Sequence, residues 1–321
     1  MTAAAGAAAN AGPGPRLDLG VLMMEPLTGA AQWRERVRRV EDAGATTLQV
    51  SDHFDRSPVS PLVALAAAAQ HTDRLRLGTL VLNNDFRRPA VLAKEAASVQ
   101  ALCDGRLELG LGAGWMTDDY TVSGIVREPA GRRIDRLADT LALLHALRDS
   151  AGGPVDLERG SVGVAALRDV PAVPRPPTLL VGGGGPRVLG LAATTADVVG
   201  INFDVREGHV GGRAARSASA AATDEKVALV RRAAGDRRPV LHLMLYWAAV
   251  TEQPEEEAAR RIAAAGLELE PAELLASPHC LIGPRSVLRE RLCELRERWG
   301  FGYVSCYEAD AGVVAPLVTA G

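Results

Sequence analysis

Asp52, His53 and Phe54 stand together at the end of the apolar stretch LQVSDHF, residues 48–54. A carboxylate accepts N–H groups, an imidazole moves a proton near neutral pH, and an aromatic ring walls a flat ligand. Taken singly, each has an ordinary structural use: Asp52 as a turn cap, His53 as a surface histidine. Their shared place just past a strand makes them a candidate site. Two glycine turns add to it, GLGAGW (110–115) and VGGGGPRV (181–188). Glycines such as Gly112, Gly114, Gly182, Gly183, Gly184 and Gly185 let backbone N–H groups approach a phosphate without a Cβ in the way, and a following helix favours an anion. Pro186 suits a first helical turn, and Arg187 adds a positive charge there. Neither stretch is a GxGxxG dinucleotide fingerprint or a Walker lysine loop, so nicotinamide and nucleoside triphosphate readings lose ground. Trp115, next to Gly114, is placed to wall a planar ring or an apolar substrate.

The elements that must position these residues alternate strictly. Strands are predicted at 17–23, 46–53, 75–83, 106–114, 178–185, 197–203, 240–250 and 301–308. Helices are predicted at 28–44, 60–72, 88–105, 132–149, 186–196 and 222–236, with two more between 254 and 300. Alternation implies parallel pairing, and runs such as LRLGTLVL imply strands buried on both faces. An open doubly wound sheet and a closed ring both satisfy that. Eight strands in one chain decide for a (β/α)8 TIM barrel, a single domain over 16–321 preceded by a disordered tail, 1–15. Segments 150–177 and 204–221 are read as insertions at the C-terminal face of the strands, with no secondary structure assigned. On that face the strand ends gather Glu25, Asp52, His53, Asn83, Asn84, Gly112, Ala113, Gly114, Trp115, Gly182 and Asn202.

Composition narrows the ligand. The 321 residues are 47% hydrophobic and 23% charged with a formal charge of −3, so no basic surface argues for nucleic acid or an anionic membrane. A small-molecule substrate is expected. Cys103, Cys280, Cys293 and Cys306 are scattered without CxxC, and only Cys280 has a histidine beside it, so neither a metal site nor a disulfide framework is expected. Reduced thiols and the absence of a signal-like start or a ~20-residue apolar run fit a cytoplasmic protein.

In ordered combination, VSDHF, LGTLVLNNDFRRPAVLAKEAASVQ, CDGRLELGLGAGWMTDDYTVSGI, PPTLLVGGGGPRVL and SPHCLIGP resemble the luciferase-like monooxygenase superfamily, and within it the coenzyme F420-dependent oxidoreductases. The resemblance runs from about Leu17 to near the C-terminus. It implies a barrel holding a deazaflavin over the strand ends, the DHF triplet favouring F420 over FMN. It further implies that Asp52 hydrogen-bonds the cofactor, that His53 lies near the reacting carbon, and that a non-proline cis peptide joins Leu80 to Val81. Gly112, Ala113 and Gly114 would pass the ring, the glycines 182–185 would hold the phosphate-bearing tail, and His53, Glu25 and Trp115 would serve the substrate side. Sugar-phosphate dehydrogenases of this group carry a glutamate where Trp115 stands and use lysines, of which this chain has only Lys94 and Lys226. An apolar or conjugated substrate, with reduction of C=C or C=N, is the expectation. An FMN-dependent monooxygenase and a catalytically silent cofactor binder are the alternatives, and a homodimer is a further expectation.

Overall fold

The computed structural model describes residues 17–57, 59–168 and 175–319, so the tail expected at 1–15 lies outside the described residues. The chain begins β1 (Asp18–Met23), α1 (Ala30–Asp42), β2 (Thr47–Val50), α2 (Pro61–Ala68), β3 (Arg76–Thr79), β4 (Leu82–Asn83), α3 (Pro89–Leu102) and β5 (Leu107–Gly112). It continues through α4 (Thr117–Ser123), α5 (Ala130–Asp149), a hairpin of β6 (Val155–Arg159) and β7 (Val162–Leu167), β8 (Thr178–Gly183), α6 (Pro186–Thr195) and β9 (Val198–Ile201). Then come α7 (Gly212–Arg216), α8 (Ala220–Ala234), β10 (Val240–Leu245), β11 (Trp247–Val250), α9 (Pro254–Ala265), α10 (Pro271–Ala276), β12 (Cys280–Gly283), α11 (Arg285–Trp299), β13 (Phe301–Tyr307) and α12 (Ala311–Thr319).

Parallel ladders link β1, β2, β3, β5, β8, β9, β10 and β13 in that cyclic order, and the β13–β1 pairing closes the ring. This is the expected eight-stranded barrel. Strands such as β2, β5 and β9 are buried at every position, because helices cover them outside and side chains fill the ring inside. Gly20 and Gly78 leave room inside for larger partners: a Cβ on Gly20 would meet the side chains of Ser305 and Gln49, and one on Gly78 would meet those of Gln49 and Glu108. Gln49 Nε2 donates to Tyr303 Oη at 2.9 Å, and Tyr303 donates to Glu108 at 3.0 Å. Burial pushes the Glu108 carboxyl above its ordinary range, with Arg76 opposing.

The third strand is interrupted as expected. A cis Leu80–Val81 peptide separates β3 from β4, and the Val81 side chain lies against Gly110, Gly112 and Gly182.

Three expectations are corrected. The run 240–250 is two strands: it breaks at Tyr246, and β11 leaves the ring to pair with β12, which lies within SPHCLIGP. Continuous apolarity persists because β11 is covered by its own cluster of Ala258, Ile262 and Leu274. The described residues of the segment 150–177 are not shapeless and do not lie over the mouth. A chain leaving the C-terminus of a barrel helix is at the opposite end of the strands. From there its hairpin leans on the flanks of α3 and α5 through Val155 and Val162 against Ala93, Leu143 and Leu147. Asp139 on α5 clasps the hairpin by accepting from Arg159 and Ser161. The segment 204–221 does follow a strand end, and it folds partly into α7.

Candidate active site

The strand end after β2 is held by two carboxylates. Asp52 is nearly buried and accepts two bonds from Arg87, at 2.6 and 3.2 Å, and one from the backbone N–H of Asn83 at 3.1 Å. It therefore pins the backbone that follows the cis peptide. The second carboxylate belongs to Asp119, 2% exposed on α4. One oxygen lies 2.7 Å from His53 Nδ1 and the other accepts the Phe54 N–H at 2.9 Å. A carboxylate only accepts, so Nδ1 carries the hydrogen and Nε2 is the nitrogen left for a ligand. Ser57 Oγ accepts the His53 N–H at 2.9 Å and lies 2.7 Å from Ser51 Oγ, which closes the turn beneath the imidazole. The Trp115 ring meets His53 edge-on at 5.8 Å between centroids.

Several predicted residues come together around this pair. Asn83 accepts the Asp85 N–H and approaches Gly114, where a Cβ would fall within 2.4 Å of Asn83 Oδ1 and 2.1 Å of Tyr120 Oη. Gly114 also has φ +71°, so glycine is needed there twice over. Arg133 donates to Ala113 O at 3.0 Å and also to Gly114 O, fixing the turn from below. Within the second glycine turn the reasons differ by position. A Cβ on Gly183 would clash with Val188, and one on Gly184 would lie 2.0 Å from Phe203 O. Gly185 has open space about it and starts α6 without a side-chain cap; Pro186 has no N–H, so the unpaired amides of the first turn are those of Arg187 and Val188.

Two predicted residues make no hydrogen bond or ion pair with the His53–Asp119 pair among the described residues. The Glu25 side chain is exposed, and only its backbone carbonyl is engaged, by Arg36 at 2.9 Å. Arg187 reaches α5 instead of the glycine turn, pairing with Asp135 at 2.5 Å and with Gly131 O at 3.1 Å.

Sequence reasoning missed Asp119 and an aromatic group across the mouth. Phe203, after β9, packs on Tyr246, after β10, at 4.9 Å, and Tyr246 meets Tyr307, at the end of β13, at 6.0 Å. Asn202 Nδ2 donates to Tyr246 Oη at 2.8 Å. Beneath them His279 donates from Nδ1 to Met244 O, and burial lowers its pKa to about 4. The paired acids of TDDY were a weak signal for Asp119, because acids in a first helical turn are commonly solvated, as Glu255 and Glu256 are.

A profile of the luciferase-like monooxygenase family matches residues 17–301, most of the chain. The chain belongs to that family. Among curated proteins it is similar to an F420-dependent glucose-6-phosphate dehydrogenase of Amycolatopsis mediterranei, 31% identical over 167 residues, 50% of this chain and 49% of that one. The chain thus spans about half the length of the curated relatives it matches. Among solved structures, an F420-dependent secondary alcohol dehydrogenase bound to an F420-acetone adduct superposes with a TM-score of 0.75. It is 15% identical, over 95% of this chain and 99% of the other. The oxygenating constituent of 3,6-diketocamphane monooxygenase from Pseudomonas putida, in complex with FMN, gives 0.68 at 15% identity over 94% and 98%. At that identity the superpositions speak to the fold alone. Among the described residues no helix is long and apolar enough to cross a membrane.

Proposed function

We propose that the protein is an F420-dependent oxidoreductase that transfers a hydride between the deazaflavin and a small apolar or conjugated molecule, reduction of C=C or C=N being the favoured direction. The observation that carries the reading is the His53–Asp119 pair beside Trp115, at the barrel mouth to which the two glycine turns also belong. The F420-dependent relative over half the chain supports the cofactor.

The residues present fit such a group. The uncapped N-terminus of α6, with open space at Gly185, suits a phosphate. The backbone at Leu80, Val81 and Asn83, with Gly112, Ala113 and Gly114 on the adjoining strand end, would support the ring. A bound deazaflavin supplies a carbon that gives or takes hydride and activates oxygen poorly. Asp119 orients the imidazole, and His53 Nε2 holds or moves the proton at the substrate atom facing the ring. Asp52 acts by fixing the kinked backbone through Asn83, and Trp115 excludes water at the ring edge. The lysines do not favour a sugar phosphate: Lys94 is exposed on α3, and Lys226 Nζ donates to Asn202 O and Ser217 O. Glu25 is the remaining substrate-side group of this reading. A cytoplasmic homodimer belongs to it as well, with the exposed Val63 on α2 and Val91 on α3 as its supporting surface.

The test is titration of the purified protein with F420 and with FMN, followed by oxidation of reduced F420 in the presence of conjugated carbonyl acceptors. Tight F420 binding, turnover, and loss of turnover with retained binding in His53→Ala are expected. Preference for FMN with oxygen consumption would assign the protein to the monooxygenase alternative instead.

A further inference from the structure

We infer that Arg127 is the recognition group for the anionic tail of the bound cofactor, at the seam where the α4–α5 connection meets the loop after β9. The inference rests on the deazaflavin reading and adds a site to it.

Several arginines around the mouth are neutralised by carboxylates. Arg87 pairs with Asp52, Arg136 with Asp85 and Glu128, Arg206 with Asp204 and Arg213 with Glu207. Arg127 has no carboxylate within ion-pair distance among the described residues, and its Nε is buried without a partner. Its one hydrogen bond is a long 3.5 Å contact from Nη2 to Arg206 O. The neighbouring charge is of the same sign: Arg133 is buried, and its guanidinium is taken by the carbonyls of Ala113, Gly114 and Glu128 with no acid among the described residues. Partial burial and Arg133 together disfavour the Arg127 charge, and the phenol of Tyr120 is the one opposing influence. Two adjacent cations without a counter-ion form a site for an oxyanion.

The seam is built to hold Arg127 there. Thr117 N donates to Gly208 O at 3.1 Å and ties the two loops. Gly208 has φ +86°, and a Cβ on it would lie 2.2 Å from Thr117 Oγ1 and 3.1 Å from Arg127 Nη2. The connection to the glycine turn runs through Arg133, so the oxyanion lies on the same side of the mouth as Gly112 and Gly114. Phosphate or carboxylate of a long acidic tail fits this chemistry, and so does an anionic substrate. The tail is favoured because its ring would rest on those glycines.

The experiment is fluorescence titration of wild type, Arg127→Gln and Arg127→Lys with F420 and with the corresponding deazaflavin riboside, which lacks phosphate and acidic residues. Arg127→Gln is expected to lose about ten- to hundredfold in F420 affinity at low salt. Its riboside affinity should be unchanged, and Arg127→Lys should recover part of the loss. Equal F420 affinity in wild type and Arg127→Gln overturns the inference while leaving the cofactor reading intact. An equal loss for F420 and riboside overturns it too, because the effect is then not on the tail. Failure of the wild type to bind either deazaflavin overturns both.

Discussion

Replacing Asp119 by asparagine exchanges one carboxylate oxygen for an NH2 group without changing the shape of the side chain. The two bonds it makes, 2.7 Å to His53 Nδ1 and 2.9 Å to Phe54 N, are charge-assisted in the native protein. A bond to a charged group contributes about 1 kcal/mol more than a neutral one, so two such losses amount to about 2 kcal/mol and a Tm lower by a few degrees. The chemical effect is far larger. The amide oxygen keeps the Phe54 N–H, which turns the NH2 toward Nδ1 and makes that nitrogen an acceptor. The ring hydrogen then moves to Nε2, and the atom facing a ligand changes from acceptor to donor. Proton transfer by a positioned side chain contributes about 10²- to 10⁴-fold, so kcat is expected to fall by that factor while F420 affinity holds within a few-fold. Nitrogen NMR of the His53 ring reads the tautomer without any substrate, and stopped-flow oxidation of reduced F420 reads the rate. A kcat within threefold of wild type, or an unchanged Nδ1–H tautomer, would refute the reasoning.

Arg87→Ala leaves the nearly buried Asp52 carboxylate unpaired and is expected to cost about 3–5 kcal/mol, read by urea unfolding, with Arg87→Lys restoring part of it. Gly184→Ala should be severely destabilising, by roughly 3 kcal/mol or more, because its Cβ meets the backbone oxygen of Phe203, whereas Gly185→Ala should keep the Tm of wild type within about 2 °C. Burial lowers His242 to about 3, with His279 adding to the effect, and lowers His279 to about 4. The unfolded chain therefore takes up protons below pH 6.5 that the native protein refuses until near pH 4. Stability should fall with falling pH across that window by up to about 2.7 kcal/mol per pH unit for the pair, and a flat urea midpoint between pH 6.5 and 5 would contradict it. The double variant His242→Asn, His279→Gln should flatten the slope.

The barrel was legible because strand and helix periods alternate and eight strands suffice for closure; the mouth followed from reading which residues end each strand. What escaped was information that hydrophobicity does not carry. VLHLMLYWAAV is apolar throughout since both halves are covered, yet Tyr246 marks a change of sheet that only the β11–β12 pairing reveals. The hairpin at 155–167 buries chiefly Val155 and Val162 and exposes much of the rest, too thin an alternation to stand out. Its place at the far end was nonetheless implied by chain direction. The bonds from Arg87 and Asn83 to Asp52 join residues more than 30 positions apart, a partnership that residue spacing does not encode.

The ring order gives the mouth two unlike halves. His53 follows β2, Asn83 ends β4, and Ala113 through Arg133 follow β5, so Asp52, Asp119, Arg127 and Arg133 all stand on the arc from β2 to β5. Phe203, Tyr246 and Tyr307 stand on the arc from β9 through β10 to β13, which is the opposite wall. Buried charges need partners near at hand, so the first arc must present its ligand with hydrogen-bonding and ionic groups. On the second, Tyr246 Oη is already engaged by Asn202, and the rings offer contact area with few free polar atoms. A cofactor with a polar heterocycle and an acidic tail matches the first half. On the proposed reading the reactant would lie between His53 and this aromatic wall, where a sugar phosphate would leave its hydroxyl and phosphate groups desolvated and unpaired.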